Sequence, residues 1–300
     1  MAAPVTEPTP STPALPDTIG RTDRRRHRPL AVRLAKHLVL LAFVVLCLFP
    51  LLLIVSTAFK SAEDVRVDPF GLFTSFSVQN FVDAWTEGEF GSYLWNSALL
   101  SVPTTICTVL LSTAAGYAFS RCPFPGHQVV FYLIVVGLLV PPFTIMIPLY
   151  YQLRQMALLD TLWGVQLVLV SGTLSFGTFF MRSFFQELPT ELEQAARVDG
   201  CSEWSVFARV MLPLVRSGMA ALGVFTFLEN WNNFLVPLLY LPSGDYRPLT
   251  TGLFVFASGR TTDVGPLAAG ALITVLPVMA VFVAAQRQVV RGFIAGAVKG

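Results

Sequence analysis

The sequence predicts an all-α polytopic membrane protein of six transmembrane helices with one cytoplasmic helix–glycine–helix loop. Three observations predict it. Apolar residues make up 54% of the 300-residue chain and charged residues only 13%, where a soluble domain usually carries about 25% charged residues; the mean hydropathy is +0.65. The apolar residues gather into runs long enough to cross a hydrocarbon core of about 30 Å. The Lys and Arg residues fall unevenly between those runs.

Residues 1–37 form the first segment. Its residues 1–28 are rich in Pro, Thr and Ala, end in the basic cluster RTDRRRHR and have no core-forming pattern, so a disordered basic tail is expected. The remainder, 38–300, reads as one transmembrane domain and opens with a 22-residue apolar run at 38–59. A signal peptide has an apolar stretch of only about 7–15 residues, so an uncleaved anchor is expected. Residues 60–91 are polar and acidic, with Pro69 and Gly71, and read as an extracytoplasmic loop with short helical pieces. Further spans are expected at about 96–120, 129–150, 162–180, 218–241 and 266–285. The 129–150 run holds Pro141, Pro142 and Pro148, which predict a kinked or unwound half. Such backbone is tolerated in a membrane only where protein or a water-filled cavity covers it.

With the N-terminus inside, the interior segments 1–37, 120–128, 181–217 and 286–300 hold 15 Lys and Arg; Lys60, Arg66, Arg154, Arg247 and Arg260 lie outside. That distribution obeys the positive-inside rule and places both termini and the 187–213 stretch in the cytoplasm. Arg121 and His127 read as ordinary charges on a short inner loop. The net charge of +2 is too small to suggest nucleic acid. Cys47, Cys107, Cys122 and Cys201 lack paired spacing, and His27, His37 and His127 are scattered, so neither a disulfide framework nor a metal site is expected.

The 187–213 stretch, ELPTELEQAARVDGCSEWSVFARVMLP, is the long charged interval of the C-terminal half. Thr190 and Glu193 have capping-box spacing, and a first helix would put Leu192, Ala195 and Ala196 on one face. Asp199-Gly200 would end it, since glycine takes the left-handed conformation of a helix C-cap. Ser202 would cap a second helix carrying Trp204, Phe207, Ala208 and Met211, and Leu212-Pro213 would turn the chain toward the next span. An amphipathic hairpin on the inner leaflet is the bland reading, but such helices carry Lys and Arg on the polar face. Glu191 and Glu193 at the start of this one argue for a protein partner.

This stretch resembles the cytoplasmic EAA loop of ABC-importer inner-membrane permease subunits: EAA, three residues, Gly, nine residues, an aliphatic residue, one residue, Leu-Pro. Here Gln194, Ala195 and Ala196 are followed by Gly200, Val210, Leu212 and Pro213 at the same spacing. Asn96-Ser97, the run AAGYAFSRCPFPG, Pro148-Leu149-Tyr150, Trp231-Asn232 with Phe234-Leu235, and the C-terminal QRQVVRGFIAGAVKG resemble the carbohydrate-uptake, maltose-importer-like branch. The resemblance covers about 38–300. Gln194 departs from the usual Glu and keeps hydrogen-bonding capacity without the charge; Cys201 stands where Ala is common.

The resemblance implies a permease subunit of an ATP-driven sugar importer in the bacterial cell membrane, forming half a pore with a second homologous permease. Two cytoplasmic ATPase subunits would receive the loops, and an extracytoplasmic sugar-binding protein would deliver the cargo. Glu193, Gln194, Ala195, Ala196, Asp199, Gly200, Phe207, Val210, Leu212 and Pro213 would carry ATPase coupling. The chain itself would be no enzyme and bind no cofactor. It has no GxxxxGK[ST] sequence, so ATP and Mg would sit on the partner ATPase.

Candidate substrate-path residues are Glu229, Asn230, Trp231, Asn232 and Asn233, with Pro141 and Pro142 in the kinked span. Polar groups in mid-membrane are costly unless they face a cavity or each other. Trp231 could stack on a sugar face and the amides could bind hydroxyls. Equally, these groups could hydrogen-bond neighbouring helices. Two other functions fit the composition: an ion-coupled secondary transporter with Glu229 as coupling site, and a membrane receptor with a cytoplasmic docking hairpin.

Overall fold

Helices account for all the regular structure among the described residues. The structure, a computed structural model, describes residues 30–259 and 264–297, with side chains described for 34–259 and 264–286. These residues fall into two units, one ending at Phe49 and the other beginning at Pro50; the packing below lies within the second.

In chain order the helices are α1 (Leu30–Phe59), α2 (Ala62–Val67), α3 (Gln79–Thr86), α4 (Phe90–Arg121), α5 (His127–Val136), α6 (Pro142–Gln155), α7 (Leu162–Glu187) and α8 (Glu191–Val198). After them come α9 (Glu203–Leu214), α10 (Arg216–Trp231), α11 (Leu235–Tyr240), α12 (Leu249–Gly259) and α13 (Val264–Ala297). Among the described residues four helices are long and apolar enough to cross a membrane, and the spans number up to six if each of two bent pairs counts as one. The N-terminal anchor begins at Leu30 rather than at 38, and residues 1–29 of the expected tail lie outside the described residues. The apolar side chains of α1 up to Phe49 are exposed, as lipid contact requires.

The second unit is built on the α4–α7 seam. Ser97, Ser101, Thr104, Thr108, Ser112 and Gly116 recur at helical spacing on the buried face of α4. Against them lie Thr173, Gly177, Thr178 and Met181 of α7. Small residues let the backbones approach closely, the main source of helix association in lipid. A Cβ on Gly116 would sit 2.8 Å from both the Met181 Cβ and the Arg182 backbone nitrogen, and one on Gly177 would sit 2.2 Å from the Ser112 Oγ. Some seam hydroxyls bond within the seam: Thr104 donates to the Leu100 carbonyl at 2.6 Å, and Thr108 and Thr173 share a hydrogen bond of 3.1 Å.

The third span is broken, and its prolines explain where. A residue preceding proline is pushed out of the helical region. Val140 and Pro141 each precede one, and both are extended, with ψ of 116° and 125°. Pro142 then occupies the first turn of α6, where its missing N–H costs nothing. The two halves, His127–Leu139 and Pro142–Gln155, meet at 103°.

Two expectations need correction. The fifth span does not run unbroken through 218–241: α10 stops at Trp231, and the Asn233 carbonyl oxygen Oδ1 accepts from the Val236 amide at 3.1 Å to start α11. A side chain that offers the backbone such a bond competes with helix continuation. Residues after the span also hold a further helix, α12, whose Leu249 and Thr251 are buried. The 60–91 loop contains the expected short pieces, α2 and α3, and Asn80 of α3 donates to three carbonyls at the end of α1, those of Thr57, Ala58 and Lys60.

Candidate functional site

The 187–213 stretch folds as two helices in a wedge. Gly200 has φ of +80°, a conformation that costs an L-residue about 1–2 kcal/mol. The Cys201 amide donates to the Ala196 carbonyl at 3.0 Å and the Gly200 amide to Arg197 at 3.1 Å. This is the Schellman arrangement, and it satisfies carbonyls that the end of α8 would otherwise leave open. Ser202 accepts from the Ser205 amide at 3.3 Å to start α9, as its position predicts. α9 contains a wide, π-type stretch at Val206–Met211 and meets α10 at 72°.

The capping box does not form. Thr190 makes no side-chain cap bond, and Glu193 turns instead toward the bundle. There its side chain is only 5% exposed, 3.3 Å from the Nε of Arg121, whose own side chain is 8% exposed. A buried cation captures the carboxylate that sequence spacing assigns to the backbone. Arg121 is therefore no ordinary positive-inside charge: its Nη2 also donates to the carbonyls of Phe185 and Leu188 at the end of α7. Nothing in its sequence setting distinguishes it from any Arg at the end of a span.

The expected apolar face is also rotated. Ala196 is buried with Tyr117, Met181, Phe185, Val206, Met211 and Val215, while Phe207 and Val210 pack against that cluster. Leu192 and Ala195 point outward instead, Leu192 being 40% exposed. Gln194, Asp199, Gly200 and Pro213 are exposed too, and Leu212 is half-buried. Val198, not singled out from sequence, and Trp204, expected on the apolar face of the second helix, complete an apolar outer surface at 87% and 74% exposure. Arg197 stiffens the wedge across Gly200, with Nε and Nη2 donating to the Glu203 carboxylate at 2.7 and 3.0 Å. The pairing holds the Glu203 carboxyl below the usual carboxylate range.

A second feature is a cavity of about 630 Å³ between α5–α6, α7, α10 and α11. Glu229, Asn230, Asn233 and Pro142 line it, joined by Thr173, Phe176 and Tyr240. Asn230 is buried, its Nδ2 lies 3.4 Å from the Thr105 hydroxyl, and its Oδ1 has no protein partner among the described residues. Trp231 does not line the cavity: it is buried against Phe227 and Leu249, and its indole N–H donates to the Thr274 carbonyl at 3.1 Å. One residue of helical rotation separates it from the cavity side. Asn232 is exposed and bonds back to the Leu228 carbonyl, and Pro141 lies outside the lining.

Comparison with known proteins gives the following. The family described as "Binding-protein-dependent transport system inner membrane component" matches residues 109–294. The diacetylchitobiose uptake system permease protein NgcG of Streptomyces coelicolor is 36% identical over 255 residues, 84% of each chain. The lactose transport system permease protein LacG of Rhizobium radiobacter is 32% identical over 93% of this chain and 99% of its own. Among solved structures, a bacterial ABC transporter involved in import of the acidic polysaccharide alginate has a chain that aligns with a TM-score of 0.76, over 90% of this chain and 98% of that one. At 20% identity, that likeness concerns the fold.

Proposed function

This chain belongs to the family of binding-protein-dependent transport system inner membrane components, and from that premise we propose that it is the half-pore subunit of an ATP-driven sugar importer. It is a multi-pass membrane permease, a transport subunit; membership of the family sets aside the ion-coupled transporter and the receptor. The observation that carries the reading further is the wedge of α8 and α9, which presents Leu192, Val198 and Trp204 outward around the left-handed Gly200. In our reading the wedge lies in the cytoplasm with both termini. There it docks in a groove of one of two ATPase subunits, which carry the ATP and Mg. A second permease completes the pore, and an extracytoplasmic binding protein delivers the cargo.

The wedge joins α7 to α10, and both of those helices line the 630 Å³ cavity. A partner that shifts the wedge therefore shifts two walls of that cavity, a rigid-body form of switching. The cavity is of a size that suits a small ligand. Asn230, Asn233 and Glu229 supply acceptors for hydroxyl donors, as a sugar would require. Permeases similar to this one are named for diacetylchitobiose, lactose and arabinooligosaccharides, so di- and oligosaccharides are the cargo class to test first.

Purification through a tag on this chain, in mild detergent, tests the assembly. An ATPase and a second permease should co-elute, and ATP hydrolysis should rise when an extracytoplasmic binding protein from the same organism is added with its sugar. That sugar is identified by calorimetry of the binding protein against a saccharide panel. Recovery of the chain alone, with no hydrolysis, would overturn the reading.

A further inference from the structure

We propose that Arg121 is a positioning residue for energy coupling: its buried guanidinium fixes the wedge to the ends of α4 and α7, so that the three move as one body. This rests on the docking role proposed above for the wedge. The chain between α7 and α8 is the short link 188–190, and Leu188 within it is extended, with ψ of 139°. Were the wedge held by that link alone, displacement of α8 would be absorbed by rotation about the link. Arg121 grips both sides of it: Nη2 donates to Phe185 before it and to Leu188 at its start, and Nε faces Glu193 after it at 3.3 Å.

The residue type suits the task. Leu188 caps α7, and a helix end leaves such carbonyls open to an outside donor; the Phe185 carbonyl accepts from the Leu188 amide at 3.3 Å and takes Arg121 as a second donor. A guanidinium offers donors in a rigid plane and stays charged, so it serves carbonyls and a carboxylate in one fixed geometry. From Glu193 the charges continue to Arg197 at 3.5 Å and on to Glu203 at 2.7 Å. Side-chain exposure rises along the series, from 8% and 5% at Arg121 and Glu193 to 42% and 67% at Arg197 and Glu203. The buried pair thus anchors the wedge, and the exposed pair braces its two arms. Buried ion pairs add little net stability because desolvation offsets their attraction, so fixing one geometry is the better account of this one.

The test reads the motion directly. Spin labels at the exposed Cys107 of α4 and at Glu191→Cys of α8, with Cys47, Cys122 and Cys201 changed to Ser, report the separation of wedge and span in the assembled complex. Without nucleotide and with ATP plus vanadate, the otherwise unaltered chain should give one narrow distribution at the same distance. Arg121→Gln and Glu193→Gln should each widen it about twofold or shift it on nucleotide binding, because position then rests on the link. Arg121→Lys should fall between. A charge that only stabilises the chain would lower yield yet leave the distribution narrow, and narrow distributions in both Gln variants overturn the proposal. If Arg121→Gln does not insert, the milder Glu193→Gln decides alone. Gly200→Asp is the separating control: if it retains the ATPase subunits, the docking reading fails, whereas release of the ATPase with narrow Gln-variant distributions sinks only the latch.

Discussion

Replacement of Gly200 by Ala, Asn and Asp separates backbone strain from contact with a partner, because the two place Ala at opposite ends of the order. Gly200 sits at φ of +80°, and a Cβ added there meets nothing within 4 Å. The internal cost is therefore the left-handed backbone alone. For Ala it is about 1–2 kcal/mol, and less for Asn and Asp, which visit that region more readily. About 1 kcal/mol is roughly a fivefold change in the folding equilibrium. In a chain this long it lowers the unfolding midpoint by about 2 °C. Thermal unfolding in detergent should thus rank Ala as worst and Asn as best. Uptake and ATPase retention should instead favour Ala: Asp loses all, Asn most and Ala least, since the longer side chains occupy the space a docked subunit needs. Gly200→Asp should still insert in the membrane. Uptake that follows the thermal order, or ATPase co-purification at the unaltered level with Gly200→Asp, would refute the reasoning.

Other expectations follow from the packing. Gly116→Ala should destabilise the chain by about 1–3 kcal/mol, because its new methyl meets the backbone of α7, whereas Gly172→Ala, with nothing within 4 Å, should be neutral or gain slightly; detergent melting curves compare the two. Trp231→Ala should cost about 3–5 kcal/mol as a buried aromatic, and Trp231→Phe less, with uptake falling only as the amount of folded chain falls. Sugar affinity lost by Trp231→Phe at an unchanged level of folded protein would contradict that packing role. Glu193→Ala leaves Arg121 buried and unpaired and should cost about 3–5 kcal/mol, while Gln194→Ala, one residue on and exposed, should stay within about 0.5 kcal/mol. Equal melting of the two would mean that Glu193 is not held inside.

Much of this architecture is legible because the bilayer makes sequence signals simple. Long apolar runs give α1, α4, α7 and α13, and paired prolines give the break before Pro142. What stays hidden depends on contacts distant in the chain. α12 is an 11-residue apolar helix, too short to be read as a span, and it earns its burial only by packing beside Phe90 and Tyr93. The stop at Trp231 comes from one asparagine offering a local bond inside an apolar run. The capping-box spacing of Thr190 and Glu193 is present, yet a cation 72 residues earlier in the sequence takes the carboxylate. The candidate substrate-path residues divide for the same reason: Glu229, Asn230 and Asn233 share the cavity side of the chain, and the intervening Trp231 and Asn232 do not.

The two departures from the EAA pattern fall where the geometry tolerates them. Gln194 is exposed, so the charge it lacks is missing from the outer face and leaves the inner packing untouched. Cys201 contributes its backbone amide to the cap of α8, a bond that any residue other than proline can make. The positions that meet the bundle are held by shape and by a buried charge: Ala196 fits beneath Tyr117 and Phe185, and Glu193 answers Arg121. Inner and outer faces of one short helix are thus under different constraints. The inner face must match this chain's own α4 and α7, and under the proposed function the outer face must match an ATPase subunit. The docking proposed for the exposed Leu192, Val198 and Trp204 would rely on apolar fit, which survives the loss of one carboxylate at Gln194.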